Sequence, residues 1–200
     1  MNRKGNLIIY SGPSGVGKGT VLKEALKKDS SIALSVSATT RSPREGEIDG
    51  VNYFFITEEE FLKKIERGEM LEYAMYNGNY YGTPKDFVEK SLENGKNVVL
   101  EIEVQGAFKV KEIMPEAVMI FLLPPSFREL RARLEGRKTE TREQIEGRLS
   151  AAGREIQKAH LYDFIIINNE VDETAEDLVA CVKAAPFLKR LNEGVLKDNF

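Results

Sequence analysis

Short runs of consecutive apolar residues alternate along this chain with longer stretches in which apolar residues return every three or four positions. Leu7-Ile8-Ile9-Tyr10, Val98-Val99-Leu100, Val118 to Leu123 and Phe164 to Ile167 are continuous apolar runs of strand length. Such runs suit strands covered on both faces. Helical spacing predicts helices over 18–28, where Val21, Leu22, Ala25 and Leu26 share a face, and over 58–67, 84–94, 126–135, 142–160 and 174–192. Buried strands that alternate with helices predict an α/β fold, a mostly parallel sheet flanked by helices. Ligands of such sheets bind beyond the carboxyl ends of the strands.

Two stretches break this rhythm. Residues 37–83 are polar, aromatic and glycine-containing, with short strand-like pieces such as Tyr53-Phe54-Phe55-Ile56; residues 128–150 are dense in arginine. Both are expected to be insertions on a core made of 1–36, 84–127 and 151–200. No repeat, low-complexity tract or Pro/Gly-rich linker interrupts the chain.

Composition narrows the function classes. The 200 residues are 42% hydrophobic and 30% charged, which is ordinary for a soluble globular domain. The 29 basic and 32 acidic residues leave a net charge of -3, which argues against a generic nucleic-acid or anionic-membrane binder. No apolar run approaches membrane-spanning length, and the run after Arg3 and Lys4 is too short for a signal-peptide core. A cytoplasmic location is expected. One cysteine, Cys181, lies among Leu178, Val179 and Val182 and excludes an intramolecular disulfide; it reads as a small buried hydrophobe. His160, the only histidine, closes a helical stretch, and no catalytic role is expected for it.

The strongest chemical signal is Gly12-Pro13-Ser14-Gly15-Val16-Gly17-Lys18-Gly19-Thr20, set between the first strand and the first helix. Glycines let the backbone curl so that successive N–H groups face phosphate oxygens, and the helix N-terminus adds its positive end. Lys18 supplies a point charge for the β- and γ-phosphates. The glycines, lysine and threonine of this pattern would coincide by chance at roughly 2 in 100,000 start positions, so it reads as a nucleotide-phosphate loop. In the general pattern Ser or Thr follows the lysine directly and ligates Mg²⁺. Here that position is Gly19 and the hydroxyl comes one later, at Thr20, a form that resembles nucleoside-monophosphate kinases of the adenylate kinase type. Thr20 is accordingly expected to touch phosphate.

Downstream, Arg41 and Arg44 stand three apart near Tyr53. Forked guanidinium donors with a phenol suit a phosphate dianion, while local composition equally suits a solvated charged loop. The segment Thr39-Thr40-Arg41-x-x-Arg44-x-x-Glu47-x-x-Gly50-x-x-Tyr53-x-Phe55 resembles the signature of the guanylate kinase family without a gap. The resemblance continues through Glu72, Tyr81-Gly82-Thr83, Leu100 to Gly106, the arginine-rich segment and Asn168.

The resemblance implies a P-loop NTPase-type sheet with a GMP-binding insertion over 37–83 and an arginine-rich lid over 128–150. It implies an ATP:GMP phosphotransferase with Mg²⁺ as cofactor, ATP and GMP as its partners, and no nucleic acid or membrane; dGMP is a plausible second acceptor. Gly12, Ser14, Gly15, Val16, Gly17, Lys18, Gly19, Thr20, Arg137 and Asn168 are then the ATP-binding residues. Arg41, Arg44, Tyr53 and Tyr81 hold the GMP phosphate, with Glu47 in the same motif, and Ser37, Glu72 and Thr83 read the guanine. Glu101 and Glu103 stand where many members have aspartate; Glu101 is expected near the metal or Lys18, and Glu103 near the guanosine. Lys18, Arg41, Arg137 and Arg148 are the implied catalytic set, with no general base. Six arginines fall within 128–148, interleaved with glutamates; most are expected to form i,i+4 ion pairs on a helix pair. Lys138 stands where glycine is usual. Retention of Lys18, Thr20, Arg137 and Arg148 argues against the rival reading, a catalytically silent binding domain.

Overall fold

A computed structural model describes residues 4–136, 141–188 and 191–192. Its centre is a five-stranded, wholly parallel sheet in the order β2-β7-β1-β8-β9. The strands are β1 (Leu7–Ser11), β2 (Ile32–Leu34), β7 (Asn97–Glu101), β8 (Val118–Leu123) and β9 (Phe164–Ile167). Both faces of β1 and β8 are covered, which is why their sequences are continuously apolar. Alternate residues of β1 enter different cores. Ile8 and Tyr10 pack with Val21, Leu22, Leu178 and Val182, whereas Leu7 and Ile9 pack with Val88, Leu92, Ala107 and Val110. Helices α1 (Lys18–Lys28) and α7 (Val171–Ala184) therefore cover one face, and α3 (Lys85–Glu93) and α4 (Val104–Ile113) the other. Each fully buried Val, Leu or Ile in these layers contributes about 1.5–3 kcal/mol.

Because all five strands run the same way, their carboxyl ends share one edge. Ser11 leads there into the phosphate loop, Glu101 ends β7, and Asn168 follows β9. α1 starts where Gly17, at φ 99°, turns the loop into the helix.

A second sheet of four strands, β4-β3-β6-β5, stands apart. It contains β3 (Ala38–Thr39), β4 (Phe54–Phe55), β5 (Met70–Tyr76) and β6 (Asn79–Pro84). β5 and β6 form a hairpin whose two turn residues, Asn77 (φ 46°) and Gly78 (φ 76°), are both left-handed. Asn-Gly favours this primed turn because its twist matches the strands. α2 (Glu58–Glu66) opens with a reciprocal cap between Thr57 and Glu60 and buries Phe61 beneath the sheet, stacked on Tyr80 at 5.3 Å. Helices α5 (Phe127–Glu135) and α6 (Arg142–Ile156) pack through Leu130, Leu134, Ile145 and Leu149. A bidentate contact between Arg131 and Glu146 ties them together.

The predicted fold class holds, and several boundaries differ. The helix expected over 142–160 ends at Ile156 and gives way to a 3₁₀ turn at Ala159–Leu161. The helix expected over 174–192 begins at Val171 and stops at Ala184, because Pro186 cannot supply the backbone donor that continuation needs. Only Phe54–Phe55 of the 53–56 run pair as a strand. Helix α4, edge strand β2 and the β5–β6 hairpin were not anticipated. Cys181 packs against the core, and burial pushes its thiol up to about 11. Among the described residues, no helix is long and apolar enough to cross a membrane.

Candidate functional site

Three glycines of the phosphate loop have left-handed or positive backbone geometry that side chains resist: Gly12 at φ 153°, Gly15 at 87° and Gly17 at 99°. Space forbids a side chain as well. A Cβ on Gly12 would lie 2.4 Å from the Leu122 carbonyl oxygen, and one on Gly15 would lie 2.6 Å from Leu134 Cδ2. The loop is thus wedged between β8 and α5. Lys18 folds back over it, its Nζ donating to the carbonyls of Gly12 (2.6 Å) and Pro13 (3.3 Å). Burial pushes the Lys18 ammonium below its ordinary value, while Glu101, Glu155 and Glu103 pull it back up. α1 has no side-chain cap and no acid in its first turn, so its positive end faces an open cavity of about 370 Å³ lined by Ser14, Gly15, Gly17, Lys18, Gly19, Thr20 and Glu101. That combination is an anion site built from backbone and one lysine.

Asn168 and Arg133 brace this loop from outside. Asn168 is buried and donates through Nδ2 to the Val16 carbonyl at 2.7 Å. Arg133 bridges the Val16 and Asn168 carbonyls at 3.1 and 3.0 Å. The amide expected at adenine is thus committed, on its nitrogen side, to loop geometry.

A second cavity, of about 360 Å³, opens between the small sheet and α4. Ser37, Tyr53, Glu72, Tyr81, Glu101, Glu103 and Lys109 contribute to its wall. Glu72 and Thr83 are register partners across β5 and β6, and the Thr83 hydroxyl donates to Glu72 Oε1 at 2.8 Å. Burial raises the Glu72 carboxyl above its ordinary value; the Thr83 hydroxyl and Lys109 lower it, and Glu103 raises it. A Cβ on Gly106 would lie 3.3 Å from Glu72 Oε2, so α4 presses close against this carboxylate.

Beside the cavity, Arg41 pairs with Glu47 at 2.9 Å and lies 5.6 Å from the Tyr53 ring centre. Tyr53 meets Tyr81 edge-on at 6.0 Å. Glu47 also accepts from the Arg44 backbone N–H at 2.7 Å. Its carboxyl is held below the usual range by the Arg41 guanidinium first, then by that N–H. Arg44 is exposed. A cationic, phenol-lined corner therefore sits beside a carboxylate–hydroxyl pair.

Glu101 belongs to both cavities. Burial raises its carboxyl and Lys18 lowers it. The structure brings Ser14, Gly15 and Gly17 to Thr20 together with Glu101 on one side, and Ser37, Tyr53, Glu72, Tyr81 and Glu103 with Glu101 on the other; the Val16 side chain is buried in the core. Arg148 lies half-buried on α6. Arg137, Lys138 and Thr139 lie outside the described residues. Gln105 and Lys109 of α4 line the second cavity, and Glu155 of α6 acts on Lys18; sequence reading missed all three. The signal for the first two was the helical spacing of Val104, Ala107 and Val110 after Glu103, which puts Gln105 and Lys109 one turn apart on a single face.

Mg²⁺ keeps several waters and takes one or two carboxylates plus substrate phosphates. No group of three or more His, Cys, Asp or Glu ligands occurs among the described residues, but one carboxylate beside a phosphate loop, Glu101, fits that need.

The chain is similar to known proteins over most of its length. A model of the guanylate kinase family matches residues 4–185. A guanylate kinase from Halalkalibacterium halodurans is 54% identical over 187 residues, 94% of this chain and 91% of the relative. One from Clostridioides difficile is 53% identical over 182 residues, 91% of this chain and 89% of the relative. The crystal structure of guanylate kinase from Anaplasma phagocytophilum superposes with a TM-score of 0.72 at 36% identity, covering 96% of this chain and 95% of that one.

Proposed function

The chain belongs to the guanylate kinase family, an ATP:GMP phosphotransferase family, and on that footing we propose that it moves the γ-phosphoryl group of ATP from the phosphate-loop cavity to GMP, or dGMP, in the second cavity. The observation that carries this division is the shared wall. Glu101 borders both cavities, so a donor and an acceptor held in them would meet at its carboxylate.

The acceptor phosphate would rest among Arg41, Arg44, Tyr53 and Tyr81. Arg41 is already held by Glu47 and the aromatic rings, so its guanidinium is oriented before substrate arrives, which limits the entropy lost on binding. The base would be read by Ser37, Glu72 and Thr83. Guanine offers N1–H and N2–H₂ as donors, which an ionised Glu72 can accept together, and O6, to which the Ser37 hydroxyl can donate, while Thr83 spends its one hydroxyl proton on orienting Glu72. Adenine reverses the polarity at N1 and position 6 and would leave buried groups mismatched, a penalty of roughly 10⁴ in discrimination. Glu103 would lie near the guanosine. No residue named here needs the 2′-hydroxyl, hence the inclusion of dGMP.

The second pKa of a phosphomonoester is about 6, so the acceptor is already anionic at neutral pH and needs no general base. Catalysis then rests on alignment and charge neutralisation. Lys18 would neutralise the transferring group from the loop, with Arg148 and Arg137 from the arginine-rich segment. Glu101 would hold Mg²⁺ together with the nucleotide phosphates and water; bound there, the ion neutralises phosphate charge. Closing of 37–83 and 128–150 over the core would exclude water, the competing acceptor.

The test is an ADP-release assay with ATP and Mg²⁺, offering GMP, dGMP, AMP, CMP and UMP in turn. ADP release that depends on GMP and dGMP is the expected result. Equal release with AMP, or none with any acceptor, overturns the reading.

A further inference from the structure

Lys109 sits on α4 one helical turn beyond Gly106, the residue packed against Glu72 Oε2. Residues three apart lie on one helix face, so Lys109 rises beside the same carboxylate. Its ammonium lies 6.0 Å from the ring centre of Tyr73, which lines the second cavity. Lys109 and Glu72 line the same cavity. Among the described residues, no carboxylate lies within ion-pair distance of Lys109. The ring holds the ammonium without neutralising it, by cation–π attraction.

We propose that Lys109 is a specificity-determining positioning residue, which acts through Glu72 by keeping that carboxylate ionised and so able to accept from both guanine donors. The inference rests on the acceptor-pocket reading above. The groups facing Glu72 are few. Thr83 on β6 donates a hydrogen bond, Lys109 on α4 is the cation, and Glu103 at the start of α4 is a like charge. Burial and Glu103 favour the protonated form of Glu72, and Thr83 and Lys109 oppose them. A protonated Glu72 would offer an O–H toward a guanine edge made of donors. Removal of the only cation of this set therefore selectively weakens capture of guanine as pH falls.

The experiment compares the wild type with Lys109→Met, Lys109→Arg, Glu72→Gln and the Glu72→Gln/Lys109→Met double variant. kcat/KM for GMP and calorimetric GMP affinity are measured from pH 5.5 to 8.5. The acid limb in Lys109→Met is expected to move upward by about half to one pH unit, with GMP affinity at pH 6 reduced roughly 3- to 10-fold. Lys109→Arg should restore the limb, and in the Glu72→Gln background the methionine should add no further shift. Titration of the GMP phosphate is common to all variants and cancels in their ratios. An acid limb that stays in place in Lys109→Met, or a shift of equal size without the Glu72 carboxylate, overturns the inference. GMP bound without turnover by the wild type would overturn the kinase reading while leaving the Lys109 effect readable in affinity. Absence of GMP binding would overturn both.

Discussion

Gly19 and Glu101 face each other across the mouth of the phosphate loop: a Cβ on Gly19 would stand 3.5 Å from both Glu101 carboxylate oxygens. That is ordinary contact, so this glycine is not required by space. Its neighbour differs. Gly17 has φ 99°, and a Cβ there would lie 2.7 Å from Asn168 Nδ2. Gly19→Ala should therefore hold or raise stability by a few tenths of a kcal/mol, as expected near a helix start. Gly17→Ala should lose about 1–3 kcal/mol. Urea unfolding midpoints compare the two; equal losses would contradict this account of the loop.

Lys18 is the point charge of the donor site, and its ammonium already reaches the loop carbonyls. Lys18→Ala should lower kcat by about 10²–10³ and leave GMP binding intact, as read by steady-state kinetics and calorimetry. Turnover near the wild-type rate would remove the lysine from the transfer step.

Glu72 is poised by Thr83 for a base that offers two donors. Glu72→Gln places an NH₂ against those donors and should lower the GMP-to-AMP ratio of kcat/KM by about 10² or more. A constant ratio would mean that guanine is read elsewhere.

The Arg41–Glu47 pair gives a pH prediction. The folded Glu47 carboxyl lies below its ordinary value because Arg41 and the Arg44 N–H hold the charged form. Its contribution to stability is complete above the ordinary value of about 4.3 and is lost as pH falls through the lower folded value. Glu47→Gln should therefore cost stability at pH 7 and progressively less as pH falls below about 4. Urea midpoints measured from pH 7 downward check this, and a penalty that grows on acidification would reverse the sign.

The sequence by itself determined whatever is encoded in consecutive residues. The phosphate loop is contiguous, so Gly12 to Thr20 could be read as an anion site, and the apolar runs of β1, β7 and β8 announced a buried parallel sheet because a strand covered on both faces has no polar positions to show; β9, equally apolar, is an edge strand whose Ile165 and Ile167 are half exposed. The β5–β6 hairpin is also encoded locally, in Asn77-Gly78, and α4 in the spacing of Val104, Ala107 and Val110. Other relationships depend on register and packing between distant segments. Glu72 meets Thr83 because the register that starts at Tyr76 and Asn79, either side of the turn, runs unbroken to this pair and shifts only beyond it, toward Met70. Asn168 reaches the Val16 carbonyl across 152 positions because β9 ends beside the loop that follows β1. Glu101 joins the two cavities because β7 lies next to β1, and α4 comes close to Glu72 because Gly106 has no side chain to hold it away. Local pattern specifies elements; which side chains share a cavity is decided only when those elements pack, because strand order, register and close approach are properties of the assembled sheet and helices.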